Sequence, residues 1–321
     1  MKKGDEMLDC AIVGGGPAGL TAGLYATRGG LKNVVMYEMG MPGGQITQSS
    51  EIENYPGLFR EDPPLTGMDL MESWPKQCQH FGLVHEMKEV RRVSKSDDAF
   101  IIDLGSEKVE ALSVIVCTGS TPRRAGFEGE DEFFGKGVSS CATCDGFFYR
   151  DQEVAVLGGG DTALEEALYL ANICSKVYLI HRRDQFRAAP PTVERVKKNE
   201  KIEVITNAGI RRAFGNAMGL SGVELEFSDG RENMTLEVPG LFVFVGNDVN
   251  NGVLRQEDGS FICDLNEQGE VIVDLKMHTS VPGLFAAGDI RMDAAKQVVC
   301  AAADGAIAGM QALHYVQEKA R

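Results

Sequence analysis

A chain of 321 residues is too long for one ordinary hydrophobic core and suits two domains. Hydrophobic residues make up 43% and charged residues 25%, the balance of a globular protein, and a formal net charge of -15 argues against nucleic acid or an anionic membrane as a general partner. Met1 to Asp9 is short and charged with no signal-peptide core, and no apolar run approaches a membrane span, so a cytoplasmic location is expected.

Leu8 to Val13 reads as an apolar strand that runs into Gly14-Gly15-Gly16-Pro17-Ala18-Gly19 and a small-residue helix, Leu20 to Thr27. Leu31 to Glu38 reads as a second strand ending in an acid. Between residues 83 and 116 apolar and polar residues alternate (Phe100, Ile102, Leu104; Val114, Val116), the pattern of strands in a smaller antiparallel layer. Thr118-Gly119-Ser120-Thr121-Pro122 then offers a place for the chain to leave its sheet. Past Cys141-Ala142-Thr143-Cys144-Asp145, a second copy begins: the strand Glu153 to Leu157, the loop Gly158-Gly159-Gly160-Asp161-Thr162-Ala163, a helix to Ile173, and the strand Lys176 to His181. The two loops start 144 residues apart, a duplication on the scale of a domain. After a second crossing near Gly246-Asn247-Asp248, Leu284 to Ile290 is a strand ending in Gly288-Asp289, and Val298 to about Gln317 is a long helix. That last strand and helix suit the first domain, which makes the second an insertion.

Each loop needs glycine for a tight turn, for close approach of the backbone to a pyrophosphate, and for helix-on-strand packing. One such loop is weak evidence; two, each between a strand and a helix, are much stronger. The phosphates then sit at a helix N-terminus, where unpaired N–H groups and the helix dipole favour negative charge. The second strands differ. Glu38 ends the first, and a carboxylate there accepts from ribose hydroxyls and repels a 2′-phosphate. His181-Arg182-Arg183 ends the other, with Arg187 close behind, and arginines pair with a phosphate dianion. The first site therefore suits the adenosine half of FAD, and the second NADPH over NADH. The competing reading of these arginines is a solvated basic face.

The expected fold is α/β: two Rossmann-like three-layer (ββα) nucleotide-binding domains, an FAD domain of residues 1–120 and 248–321 interrupted by an NADPH domain of residues 121–247.

Of eight cysteines, only Cys141 and Cys144 are close, and a Cys-x-x-Cys pair opens and closes a disulfide with little backbone movement. Its thiolate can attack another disulfide, with Asp145 adjacent as proton donor or acceptor. Two other readings stand beside this one. Half a zinc site would need a second pair, which the sequence does not supply, so no metal is expected. Two buried structural cysteines would sit poorly among Ser139-Ser140 and Asp145-Gly146.

Over nearly its whole length the chain resembles the bacterial-type, low-molecular-weight thioredoxin reductases. The matching stretches are Gly14 to Gly19, Gly43-Gly44-Gln45, Glu53-Asn54-Tyr55-Pro56-Gly57, Cys141 to Tyr149, Gly158 to Ala163, His181 to Arg187 and Phe285 to Asp289. The resemblance implies a homodimer with one FAD per subunit, and electrons passing from NADPH to flavin to the Cys141–Cys144 disulfide to thioredoxin. It implies that Cys144 faces the flavin, that Cys141 attacks the substrate, that Asp145 is the general acid, and that Phe147 and Phe148 help receive thioredoxin. FAD would lie against Gly14, Gly16, Pro17, Ala18, Gly19, Glu38, Gly43, Gly44, Gln45 and Asn54, with Gly288, Asp289, Lys296 and Gln297 closing over it. NADPH would lie against Gly158, Gly160, Asp161, Thr162, His181, Arg182, Arg183 and Arg187. In such a family the NADPH domain turns about the paired crossings to present nicotinamide and dithiol alternately. Asn247 and Val249 depart from the family's usual aromatic or His residue and Pro, and Cys117 stands where Ala is common. Three rival functions are an electron donor to ferredoxin or flavodoxin, an oxygen-using dithiol oxidase, and a nucleotide-sensing regulator; the dithiol, the arginines and the lack of any appended DNA-binding segment respectively argue against them.

Overall fold

The computed structural model describes residues 7–49, 52–58, 60, 62–63 and 65–320. The chain divides into two compact units, residues 1–121 with 249–321 and residues 122–248.

The first unit begins with β1 (Leu8–Val13), α1 (Pro17–Gly29) and β2 (Val34–Glu38). Short helices α2 (Gly67–Met71) and α3 (Trp74–His80) precede β3 (Val84–Met87), β4 (Arg92–Lys95), β5 (Phe100–Asp103) and β6 (Lys108–Val116). The chain leaves through β7 (Ser120–Pro122). The second unit holds α4 (Glu130–Phe133), β8 (Val138–Ser139), α5 (Ala142–Asp145), β9 (Glu153–Gly158), α6 (Asp161–Ala171), β10 (Lys176–His181) and α7 (Pro190–Lys198). It continues with β11 (Ile202–Thr206), β12 (Ala208–Asn216), β13 (Gly219–Phe227), β14 (Met234–Leu236) and β15 (Gly240–Phe244), and the chain returns through β16 (Asn247–Val249). The strand β17 (Leu284–Ala286) and the long helix α8 (Val298–Lys319) finish the first unit.

In the first unit the sheet runs β3-β2-β1-β6-β5-β4, with β17 also on β6. Parallel pairing holds β1 to β2 and to β6 (Cys10 opposite Val34 and Ser113). The period of two divides β1 between two cores. Cys10 and Ile12 face α1, α3 and α8, whereas Ala11 and Val13 face a second cluster containing Val93, Phe100, Ile102, Leu254 and Ile290. The antiparallel strands expected between residues 83 and 116 are present as β4 and β5, but they are not a separate sheet. They continue the main one, because the first half of β6 pairs with β5 (Ala111 opposite Phe100) while its second half pairs with β17 (Val114 opposite Leu284). The second strand also starts later than expected, at Val34: residues 31–33 turn, and the Asp9 carboxylate accepts from the Lys32 and Asn33 amides at 2.9 and 3.2 Å.

The helices α1 and α8 meet backbone to backbone. A Cβ at Gly305 would lie 2.1 Å from the Ala18 carbonyl oxygen, and one at Gly309 would lie 2.4 Å from that of Ala22. Backbone cannot swing aside as a side chain does. Gly305→Val should therefore destabilise the protein by roughly 3 kcal/mol, the upper range for overpacking a core. Thermal unfolding checks this, and a melting temperature within a degree of the parent protein's would contradict it.

The second unit is a three-layer ββα sandwich. Its parallel sheet runs β11-β10-β9-β15-β8 and a separate antiparallel sheet runs β12-β13-β14. Val154 and Val156 of β9 face α6 and α7, and Ala155 and Leu157 face the antiparallel sheet.

Each unit stitches its own side of the crossings. In the first, Thr118 Oγ1 donates to the Asn250 carbonyl at 2.7 Å and Asn250 Nδ2 to the Thr118 carbonyl at 2.9 Å. In the second, Arg123 Nε lies 2.6 Å from Asp248 Oδ1. Among the described residues no helix is long and apolar enough to cross a membrane.

Candidate active site

Cys141 and Cys144 form a disulfide with Cα atoms 5.3 Å apart. A single turn of helix creates this proximity: Cys141 is the N-cap of α5, and its sulfur accepts from the Cys144 amide at 3.2 Å. Ser139 at the end of β8 braces the turn by accepting the Cys141 amide at 3.0 Å. Asp145 closes α5. Burial raises its carboxyl above the usual range, and a hydrogen bond from Ser139 partly opposes that. Beside it, burial first and the Asp145 charge second push the Tyr149 hydroxyl up to about 12, while the Tyr149 ring packs edge-on against Phe242. Phe147 is 51% exposed beneath the Arg150 guanidinium, and Phe148 is half-buried.

Five of the other six cysteines stand apart from this chemistry. Cys10, Cys78, Cys117, Cys174 and Cys263 are buried. Burial raises all five thiols, Cys10 and Cys263 to about 12 and Cys78 and Cys174 to about 11. Thiols held protonated in this way are poor nucleophiles.

In the first unit the expected nucleotide residues converge at the start of α1. Gly16 caps the helix with no side-chain partner and Pro17 opens it, which leaves backbone N–H groups unpaired. Gly14, at φ +104°, has room for no side chain, since a Cβ would lie 2.5 Å from the Cys117 carbonyl oxygen. Gly43 is tied to the same loop, its amide donating to the Gly15 carbonyl at 2.9 Å. A Cβ on Gly44, at φ +70°, would stand 3.0 Å from Gly16 Cα. Glu38 accepts from the Gly15 amide at 2.8 Å and from the Gly40 amide at 3.1 Å. Gly288 abuts Ala18, Asn54 donates to Gln297 at 3.2 Å, and the Gln45 side chain donates to the Ser120 carbonyl. Asp289 is half-buried with its carboxyl raised by burial, against which Lys296 acts.

The second unit builds a matching cradle at α6. Gly160 caps the helix without a side-chain partner, and a Cβ placed there meets nothing within 4 Å. Gly159 lies against the buried His181 ring, which stacks on Phe186 at 5.2 Å. Burial above all, aided by the nearby arginines, lowers the His181 pKa. The Arg187 amide donates to the Gly159 carbonyl at 2.8 Å, and Asp161 accepts from the Ala189 amide at 2.7 Å. Arg182, Arg183, Arg187 and Thr162 are exposed, and among the described residues no carboxylate pairs with any of the three arginines.

Residues 8–305 match the family model described as pyridine nucleotide-disulphide oxidoreductase. The thioredoxin reductase of Helicobacter pylori (strain J99) is 59% identical over 312 residues, covering 97% of this chain and 99% of that protein. The chain belongs to the thioredoxin reductases. That of Peptoclostridium acidaminophilum is 41% identical, with 98% of each chain covered. Among solved structures, the thioredoxin reductase of Streptococcus pyogenes MGAS5005 superposes with a TM-score of 0.89 at 37% identity, covering 97% of this chain and 99% of that one. Membership makes the protein an NAD(P)-dependent disulfide oxidoreductase and a flavoprotein, and the Cys141–Cys144 disulfide is its redox-active centre. The family implies FAD and NAD(P)H, and the two uncapped, glycine-walled helix starts fit the pyrophosphates of two dinucleotides.

Sequence reasoning picked out Ser139 only as a polar flank and did not see it bracing the dithiol turn. It passed over Arg291 and Asp304 altogether. The signal available was Asp304, the one charged residue between Val298 and Gln317 in a small-residue and apolar helix.

Proposed function

We propose that the first unit binds FAD, that the second binds NADPH, and that the protein passes electrons from NADPH through Cys141–Cys144 to the disulfide of thioredoxin. The observation that carries this reading is the disulfide at the N-cap of α5, beside a half-buried acid, in the unit whose strand β10 is followed by exposed arginines that no carboxylate pairs among the described residues.

When bound, the flavin supplies two-electron transfer between a reduced pyridine nucleotide and a disulfide. The protein's own groups do the rest. Arg182, Arg183 and Arg187 neutralise the 2′-phosphate, and Glu38 accepts from the adenosine ribose of FAD. Once reduced, the dithiol has two inequivalent sulfurs. The Cys144 amide stabilises a thiolate at Cys141, which makes Cys141 the nucleophile and leaves Cys144 as the sulfur that exchanges electrons with the flavin in the relay. Cys141 attacks one sulfur of the thioredoxin disulfide and displaces the other as a thiolate. Cys144 then attacks the mixed disulfide, re-forming the Cys141–Cys144 bond and freeing thioredoxin with two thiols. Asp145 gives its proton to the leaving sulfur, and Phe147 and Phe148 form the apolar landing for thioredoxin. The same reading makes the protein a homodimer in the cytoplasm, with the segments near 120 and 247 flexing so that nicotinamide and dithiol are served in turn.

A purified sample should be yellow and should reduce a thioredoxin disulfide at the expense of NADPH. A colourless protein that takes up no added FAD would refute the reading. Asp145→Asn should slow thioredoxin reduction by about a hundredfold, the scale of a lost general acid. The parent enzyme's rate should fall as pH rises through the raised Asp145 pKa, since the acid form is then lost, and the variant should lack that limb. A pH–rate profile shared by both would rule Asp145 out as the acid.

A further inference from the structure

Arg291 and Asp304 form a buried clasp that the electron route above does not use. Arg291 Nε lies 2.6 Å from Asp304 Oδ2, and Nη2 lies 3.1 Å from Oδ1, a two-pronged pairing of guanidinium and carboxylate. The side chains are only 18% and 9% exposed. Asp304 Oδ2 also accepts the Gly288 amide at 3.2 Å, and the Arg291 amide donates to the Gly288 carbonyl at 3.1 Å. Gly288 sits at φ +78°, and a Cβ there would lie 3.0 Å from that of Ala18 in the first turn of α1. One carboxylate on α8 therefore holds the turn after β17 against the start of α1. The pairing also has an electrostatic role. Asp289, next in the chain, already carries a carboxyl that burial disfavours in its charged form, and Asp304 adds to that while Arg291 and Lys296 oppose it. Without Arg291, Asp304 would present an uncompensated negative charge at a place meant to receive a pyrophosphate.

We propose that Arg291 and Asp304 are positioning residues for the flavin, fixing the Gly288–Asp289 turn and keeping its surroundings electrically neutral. This rests on the reading of the first unit as the FAD site.

The test is titration of FAD into the deflavinated full-length protein, read by quenching of flavin fluorescence, alongside thermal unfolding of the same flavin-free samples. Arg291→Met and Asp304→Asn should each raise the FAD dissociation constant by at least about tenfold, because each leaves its partner buried and unpaired. The double variant should be no worse than the poorer single, since the two act as one unit. Arg291→Lys keeps the charge and loses the fork; it should fold and bind FAD about fivefold more weakly than the parent, an intermediate loss. Parent-like FAD affinity in the variants, with only the melting temperature lowered, would reduce the clasp to a structural brace and overturn the proposal, as would parent-like affinity in Arg291→Lys. Fully additive single-variant losses would overturn it as well. Failure of the parent protein to bind FAD would instead sink the flavin reading of the first unit.

Discussion

Replacing Cys144 with serine should abolish NADPH-dependent reduction of thioredoxin, with a rate loss of more than about a thousandfold, the scale seen when a residue that forms a covalent intermediate is removed. Serine is nearly isosteric with cysteine, and the bond to Cys141 that it removes spans a single turn of helix. A loop this short contributes little loop-closure stabilisation, so the variant should fold and keep its flavin. The reaction, in contrast, has no way around the loss. Under the proposed relay, a protein without a thiol at position 144 has nothing to resolve the mixed disulfide formed by Cys141, and the electron pair has no disulfide to enter. The buried thiols at positions 10, 78, 117, 174 and 263 cannot substitute, because burial keeps them protonated. A steady-state assay with oxidised thioredoxin decides the matter: retention of the parent rate would mean that electrons reach thioredoxin by some other path.

Exchanging Arg182 and Arg183 together for alanine should raise KM for NADPH roughly thirtyfold to a hundredfold while leaving KM for NADH within about a factor of two, a loss of about 2–3 kcal/mol for two charge-assisted contacts at an exposed rim. The arginines are exposed and unpaired among the described residues, so they pay no salt bridge to engage a phosphate, and their removal strands no buried partner. Stability should barely change. The same exposure makes the contacts sensitive to ionic strength, so KM for NADPH in the parent protein should climb with added salt more steeply than KM for NADH. An unaltered preference for NADPH in the double variant would refute the assignment of these residues to the 2′-phosphate.

Much of this architecture was legible in the sequence because its signals are local. A strand, a glycine loop and a small-residue helix announce a nucleotide cradle within about thirty residues, and the contrast between Glu38 and His181-Arg182-Arg183 distinguishes the two copies. The Cys-x-x-Cys pair needs only one turn of helix to bring its sulfurs together. What escaped was decided at long range. Nothing in the alternation of residues 108–116 shows that β6 turns its first half to β5 and its second to β17, since both neighbours ask for the same period of two. Ser139 looks like any polar residue until β8 delivers its hydroxyl to the Cys141 amide. The partnership of Arg291 with Asp304 needs a turn and several helical residues between them before the two meet.

The shared edge of β6 also orders events during synthesis. Residues 284–286 take their place on that edge, and α8, from the last segment of the chain, covers α1. The inserted unit is complete at residue 248, while a nascent chain of that length still lacks the parts that seal the other sheet. On the ribosome the inserted unit can thus fold first and wait, and the flanking halves can join only once residues 284–319 have emerged. Flavin uptake is therefore expected to wait until β17 and α8 are in place.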